Sequence, residues 1–250
     1  MRTLLLIVLL VLAGPTLAQE RFSGSNVDVR TVLAFKASDT AVQKLLPEGW
    51  EVNSPMTGPA KGSNLSVVMI DQTMAEDAEG KSLSPIRGAA LVVPAKKRGT
   101  DIAGAMVVSG LFEPHGVPGA YGVYIPATVV IDRRQRAGPD GKSSVEESWE
   151  LKGPDGHSIE VHVQYERGVP ARGKSESSTY SGAKPDFFRI YRVEFASDVA
   201  RSIATGVDRI SQISFKAAGP KLAPLFDGTQ QLISVTSIPL YSRQTFLPGP

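Results

Sequence analysis

Residues 145–165 carry the pattern that most restricts the fold of this chain, because apolar and polar residues alternate there on both sides of a turn. The apolar positions are Val145, Trp149 and Leu151 before the turn, and Ile159, Val161, Val163 and Tyr165 after it. The turn itself, Gly153–Gly156, has the sequence GPDG, which favours a tight reversal. This alternation predicts an antiparallel hairpin with one buried face. With 24 glycines and 18 prolines, the chain as a whole favours short strands over long helices.

Other segments predict further strands and one short helix. The predicted strands are Val27–Phe35, Leu65–Ile70, Ala89–Val93, Ala105–Phe112, Thr128–Ile131 and Phe187–Phe195. Ser38 can cap a helix over Asp39–Leu46, which Pro47 ends. Arg167–Pro185 has almost no apolar residue and predicts a long polar loop. Residues 197–217 leave two interpretations open, a bent strand or a short helix followed by a strand.

The first 18 residues are predicted to be a signal peptide. Arg2 gives a positive start, Leu4–Ala13 is an apolar run, and Thr16–Ala18 offers small residues for cleavage before Gln19. This run is shorter than the roughly 20 apolar residues that span a bilayer, so no stable membrane insertion is expected after cleavage. We therefore expect residues 19–250 to form a single exported domain, periplasmic or secreted. The chain has no cysteine, which excludes disulfides.

The charged residues and histidines point away from several functions. Lysine and arginine number 27 against 25 acidic residues, so no basic surface for nucleic acid is expected. The three histidines, His115, His157 and His162, lack the spacing of a zinc site, and we predict neither a metal nor another cofactor. The adjacent Lys96 and Lys97 lie in a polar stretch between two apolar strands, which predicts an exposed turn. A solvated lysine is protonated near pH 7 and is a poor nucleophile.

The segment Gly119–Thr128, GAYGVYIPAT, has a glycine seven residues ahead of a proline. It resembles the active-site strand of the acetoacetate decarboxylase family, in which two lysines follow that proline. Three further segments are similar to this family in the same order: Phe35–Val52, Leu91–Ala95 and Leu232–Pro248. The resemblance covers most of residues 26–248. It implies a mainly β fold, an antiparallel β-barrel with a few short helices, and a possible homo-oligomer.

The catalytic residues of that family do not transfer to this chain. Its enzymes use a neutral lysine amine that forms an imine with a keto acid. The two lysine positions are occupied here by Ala127 and Thr128. The family's arginine falls on Val27, and its two glutamates fall near Ser66 and on Gly88. We therefore predict no catalytic residue at these positions.

If the fold is kept, these substitutions leave a less polar cavity unless bulky neighbours fill it. The predicted ligand-binding residues are Val27, Ser66, Arg87, Gly88, Tyr121, Tyr124, Pro126, Ala127 and Thr128. Arg87 or Tyr121 would hold the polar end of a ligand. The leading hypothesis is a non-catalytic protein that binds a small apolar or carbonyl-containing molecule. Two alternatives stay open: a decarboxylase or other carbonyl-acting enzyme with relocated catalytic residues, and a structural or interaction protein without a ligand.

Overall fold

A computed structural model describes residues 20–249, which fold into a mainly β structure. The strands are β1 (Arg21–Lys36), β2 (Trp50–Val52), β3 (Leu65–Glu76), β4 (Arg87–Lys97), β5 (Ala103–Phe112), β6 (Tyr124–Pro126), β7 (Thr128–Ala137), β8 (Ser143–Lys152), β9 (Ser158–Glu166), β10 (Ala171–Ser181), β11 (Phe188–Ser202), β12 (Val207–Asp208), β13 (Ile210–Ala218) and β14 (Gln231–Leu247). The helices of this part of the chain are α1 (Asp39–Gln43) and a single 3-10 turn at Pro114–Gly116. None of them is long and apolar enough to cross a membrane. The predicted signal peptide, residues 1–18, lies outside the described residues.

Seven strands form a closed ring of hydrogen-bonded neighbours, in the order β4-β3-β1-β14-β11-β10-β5 and back to β4. Neighbouring strands are antiparallel except for β10 and β5, which run parallel. The closure depends on β5, which pairs with β4 from Ala103 to Phe112 and with β10 from Ala105 to Val107. The predicted mainly β fold is therefore confirmed, and its strands enclose an interior.

A second sheet, in the order β13-β9-β8-β7, packs on the outside of this ring. The buried core between the two sheets includes Leu33, Leu65, Met69, Leu91 and Leu111 from the ring, and Trp149, Leu151, Ile159 and Val161 from the second sheet. Successive side chains of a strand point to opposite faces. The ring strands therefore send one set of side chains out to this core and the other set into the ring.

The predicted hairpin is confirmed as β8 and β9, with Leu151 opposite Ile159 and Val145 opposite Tyr165. The predicted helix is present but ends earlier, since α1 covers Asp39–Gln43. Its cap is the expected one, because the Ser38 hydroxyl accepts a hydrogen bond from the Ala41 N–H at 3.5 Å.

The prediction of a polar loop over Arg167–Pro185 is wrong, because most of this segment is strand β10. Along the first half of the strand the outward side chains are charged and pair with β11, as in the contacts of Lys174 with Glu194 and of Glu176 with Arg192. Its inward side chains, which include Ser177 and Thr179, face a partly polar interior. Neither face is apolar, so the strand has no hydrophobic period to recognise.

Residues 197–217, for which the sequence left two interpretations, contain no helix. Strand β11 continues to Ser202, and after a turn β12 and β13 follow. Strand β13 pairs with β9 and places Ile213 and Phe215 against the core, so the alternating interpretation is the one that the structure supports.

A buried carboxylate joins the second sheet to the ring. Glu147 on β8 is 2% exposed and accepts hydrogen bonds from the Thr31 hydroxyl at 2.9 Å and from Arg133 Nε at 3.1 Å. The indole N–H of Trp149 also donates to it. Arg133 in turn contacts Asp71 on β3 at 3.0 Å. Burial opposes the charge of Arg133, but the two carboxylates outweigh burial and raise its pKa.

Replacement of Glu147 by alanine should destabilise the protein by about 3–5 kcal/mol, because it leaves the buried Thr31 hydroxyl and Trp149 N–H without their acceptor and removes one carboxylate from the partly buried Arg133. Equilibrium unfolding in urea would measure this change. The matched control is Glu150→Ala on the same strand, where the side chain is half-exposed and pairs with Lys152. That control should cost less than about 1 kcal/mol. Equal effects of the two substitutions would contradict the role given to Glu147.

Candidate functional site

The interior of the ring holds a cavity of about 310 Å³. Each of the seven ring strands contributes side chains at alternate positions, as a closed sheet requires. These are Asp28 and Arg30 of β1; Val68, Ile70 and Gln72 of β3; Ala90 and Val92 of β4; Ala105 and Val107 of β5; Ser177 and Thr179 of β10; Arg189 and Tyr191 of β11; and Tyr241 and Arg243 of β14. Phe112, Tyr121 and Tyr124 complete the wall near β6.

One side of the cavity is apolar. It is formed by β3, β4 and β5 through Val68, Ile70, Ala90, Val92, Ala105, Val107 and Phe112. The ring of Phe112 stacks on that of Tyr124, with centroids 4.1 Å apart. Gly119 makes this arrangement possible, because a side chain there would come within 2.3 Å of the Tyr124 ring. The backbone of Gly119 also has a φ of +69°, which favours glycine.

The opposite side of the cavity is cationic. Arg30 forms an ion pair with Asp28 and lies over the Tyr241 ring, with its guanidinium carbon 3.4 Å from the centroid. Arg243 donates from Nε to the Asn26 side-chain oxygen at 2.8 Å and lies 4.2 Å from the centroid of another aromatic ring, that of Tyr191. Both guanidinium groups are thus held in place by aromatic and polar neighbours.

Two of the three cavity arginines have no carboxylate partner among residues 20–249. Neither Arg189 nor Arg243 forms an ion pair there, and the buried Nε of Arg189 has no hydrogen-bond partner. Asp28 is the only carboxylate that lines the described cavity, against three guanidinium groups, so the lining has an excess of two positive charges. Burial lowers the pKa of Arg243, but Tyr191, Tyr241 and Asp28 outweigh burial and raise it, so this group stays charged.

Tyrosine hydroxyls supply neutral hydrogen-bonding groups in the same space. The hydroxyls of Tyr121 and Tyr191 are hydrogen-bonded to each other. Burial, and then the neighbouring Tyr191, raise the pKa of both Tyr121 and Tyr124 above the ordinary tyrosine value. At neutral pH these phenols are therefore protonated and can donate to a carbonyl or carboxylate oxygen.

Of the residues that sequence resemblance placed at the site, Tyr121 and Tyr124 line the cavity. Ala127 is 4% exposed and belongs to the core between the two sheets. Thr128 is exposed on β7, on the second sheet. Pro126 is exposed at the end of β6 and is not a lining residue.

The remaining predicted site residues are also away from the lining. Val27 lies next to Asp28 on β1 and therefore points to the opposite face. Arg87 points outward, 3.1 Å from Asp71 and 3.6 Å from Glu113. Ser66 lies two residues before the lining residue Val68 on β3. It points to the same face of the sheet as Val68 but does not line the cavity.

Gly88 is the predicted position where packing is tightest. A side chain added there would lie 2.5 Å from the Phe112 ring and 2.3 Å from the Leu111 carbonyl oxygen. The aromatic ring of Phe112 thus fills the space that a glutamate at this position would occupy.

Lysines do not contribute to the cavity, since none of those among residues 20–249 lines it. Lys96 and Lys97 end β4, where Lys96 pairs with Glu51 at 3.1 Å and Lys97 is exposed. The predicted exposure is met at Lys97 and in part at Lys96, but the predicted turn is wrong for both, because they lie in the strand and the turn begins at Arg98. The same part of the chain contains no group of three potential metal-ligating side chains.

The three arginines that define the charged side were not predicted as site residues from the sequence. In the segment Val27–Phe35, Asp28 and Arg30 occupy the polar positions of an alternating strand, which is also the pattern of a solvated face. Because the ring is closed, this face lines an enclosed space. The signal that could have identified it is the combination of strand alternation and the implied barrel.

Comparisons with solved structures find similar chains. The enduracididine biosynthesis enzyme MppR, complexed with the condensation product of pyruvate and imidazole 4-carboxaldehyde, is 12% identical, with 94% of this chain and 91% of that chain covered and a TM-score of 0.52. An acetoacetate decarboxylase-like enzyme from Sphingomonas wittichii RW1 is 10% identical, with coverages of 94% and 96% and a TM-score of 0.48. No protein-family model and no curated protein matches this chain. At 12% identity, the similarity to MppR shows a shared fold, and it agrees with the mainly β fold that was predicted.

Alkaline pH should destabilise the protein through Tyr124, because the pKa of this phenol is raised in the folded chain. Below the usual tyrosine pKa of about 10 both folded and unfolded chains keep these protons, so the contribution of Tyr124 is fully present. At higher pH the unfolded chain ionises first, and the free energy of unfolding falls as pH rises towards the raised folded-state pKa. In Tyr124→Phe this decline should be shallower, as measured by urea unfolding at successive pH values. Identical slopes in the two proteins would refute this assignment.

A lysine at position 127 should enter the core rather than the cavity. Ala127→Lys is expected to lower stability by at least about 3 kcal/mol, because it buries an unpaired amine among apolar side chains. The control is Thr128→Lys at the next, exposed position, where the change should be within about 0.5 kcal/mol. Thermal and urea unfolding of both variants would measure the difference. A stable Ala127→Lys protein would mean that this side chain reaches solvent or the cavity.

Proposed function

We propose that this protein is an exported, non-catalytic binding protein, which holds a small molecule with an apolar body and an acidic or carbonyl group in the ring cavity. The observation that carries the proposal is the lining itself, which has an apolar side and three arginines against one carboxylate. Pockets that bind small molecules combine apolar walls with a few converging polar groups. The N-terminal apolar run supports export.

The charge imbalance favours an anionic group on the ligand. Removing a guanidinium from water is costly unless a counter-charge or hydrogen bonds compensate. Arg30 has Asp28 as a partner, whereas Arg189 and Arg243 have no carboxylate among the described residues. A bound carboxylate would supply the missing negative charge, and arginine binds carboxylates through two parallel hydrogen bonds.

The absence of a cavity lysine from the described residues supports binding without imine formation. Imine chemistry needs an amine whose pKa is lowered by burial or by a neighbouring cation. The lining residues offer guanidinium groups and phenols in its place. Guanidinium groups stay protonated, so they hold an anion but do not attack a ketone.

The test combines a binding measurement with a chemical trap on residues 19–250. Isothermal titration with small keto acids and simple carboxylates should show saturable binding, and borohydride added with acetoacetate should leave the protein mass unchanged. Ala105→Leu, which adds volume inside the cavity, should weaken binding at least about tenfold by overpacking. A borohydride-stabilised adduct, or keto acid turnover at about 1 per second or faster, would contradict non-catalytic binding. Equal affinity of Ala105→Leu would place the ligand elsewhere.

A further inference from the structure

An open vestibule adjoins the cavity at one end of the ring. It is lined by the ends of β1, β3 and β14 and by the segments around Ser84 and His115. Five residues line both spaces: Gln72, Ile86, Gly119, Arg189 and Arg243. We call these five residues the neck, because they separate the vestibule from the cavity.

The neck contains the two arginines without a carboxylate partner. Arg243 is fixed there by its hydrogen bond to Asn26 and by its contact with the Tyr191 ring. Arg189 lies on β11 opposite Thr179, and its buried Nε has no partner among residues 20–249. Both guanidinium groups therefore face the junction between the vestibule and the cavity as well as the interior of the cavity.

The apolar lining lies on the inner side of the neck. Val68, Ile70, Val92, Val107 and Phe112 line the cavity but not the vestibule. The remaining interior cation, Arg30, is neutralised by Asp28. A molecule that enters from the vestibule thus meets two unpaired cations first and an apolar wall behind them.

We propose that the ligand is a monocarboxylate with a short apolar tail, bound with its carboxylate on Arg189 and Arg243 at the neck and its tail in the interior. This inference rests on the proposed function and adds the ligand class and its orientation. Two guanidinium groups can share one carboxylate through charge-assisted hydrogen bonds. Burial of the tail against the apolar side chains of β3, β4 and β5 makes the free energy of binding more favourable.

The cavity volume limits the size of this ligand. A water-sized group takes up about 30 Å³ in a liquid. The 310 Å³ interior therefore accommodates of the order of ten non-hydrogen atoms. Longer tails would have to displace the Phe112–Tyr124 pair.

The first experiment uses the unmodified protein and needs no variant. Affinities are measured for straight-chain monocarboxylates of increasing length, for the alcohols of the same length and for the α,ω-dicarboxylates. We expect affinity to rise with tail length and to fall beyond roughly ten non-hydrogen atoms, with the alcohol and the dicarboxylate each bound at least about tenfold more weakly than the monocarboxylate. A dicarboxylate bound as tightly as the monocarboxylate would overturn the orientation. An alcohol bound as tightly as the acid would overturn the role of the neck.

The second experiment compares two arginines of β11. Arg189→Gln should weaken monocarboxylate binding about ten- to hundred-fold, as expected for lost charge-assisted hydrogen bonds, and leave the weaker binding of the alcohol unchanged. Arg192→Gln is the matched control, because Arg192 points outward and pairs with Glu20 and Glu176. Unchanged acid binding in folded Arg189→Gln would overturn the proposal, as would an equal loss of acid and alcohol. If neither acid nor alcohol binds the unmodified protein, the proposed function itself fails.

Discussion

The pairing of β5 with two different strands is the constraint on which the rest of this structure depends. Its antiparallel contact with β4 and its parallel contact with β10 close the seven-stranded ring. Without this closure, the inward side chains would form one solvated face of an open sheet. With it, they enclose a cavity, while the outward side chains meet the second sheet in a shared core. The alternation of side chains along each ring strand therefore supplies both the lining of the cavity and one side of the core.

Closure also explains why charges inside the ring are significant. Charges in an enclosed space are screened less by solvent than charges on a surface, so an unmatched cation is costly there and attracts an anion strongly. Asp28 compensates Arg30, and aromatic faces support Arg30 and Arg243. Arg189 is left with a buried Nε that has no partner in residues 20–249. This pattern is expected of a binding site that a ligand completes.

The sequence predicted the mainly β fold and many strands, because their core-facing residues follow a clear apolar period, as in Val145–Tyr165. It failed for β10, where one face is charged and the other lines a polar part of the cavity. It located two of the cavity tyrosines through the resemblance around Gly119. It could not identify Arg189 or Arg243 as site residues, because their place depends on the closed ring and not on local pattern.

Packing limits which polar groups can reach the cavity from the positions that the resemblance assigned to catalytic residues. Phe112 fills the space beside Gly88, and Ala127 faces the core between the sheets. A glutamate or a lysine put back at these positions would therefore meet packed side chains or backbone. The polar groups that do face the cavity are guanidinium groups and protonated phenols. Guanidinium groups and phenols bind and orient an anion, and for this reason the lining supports the proposed binding of a carboxylate.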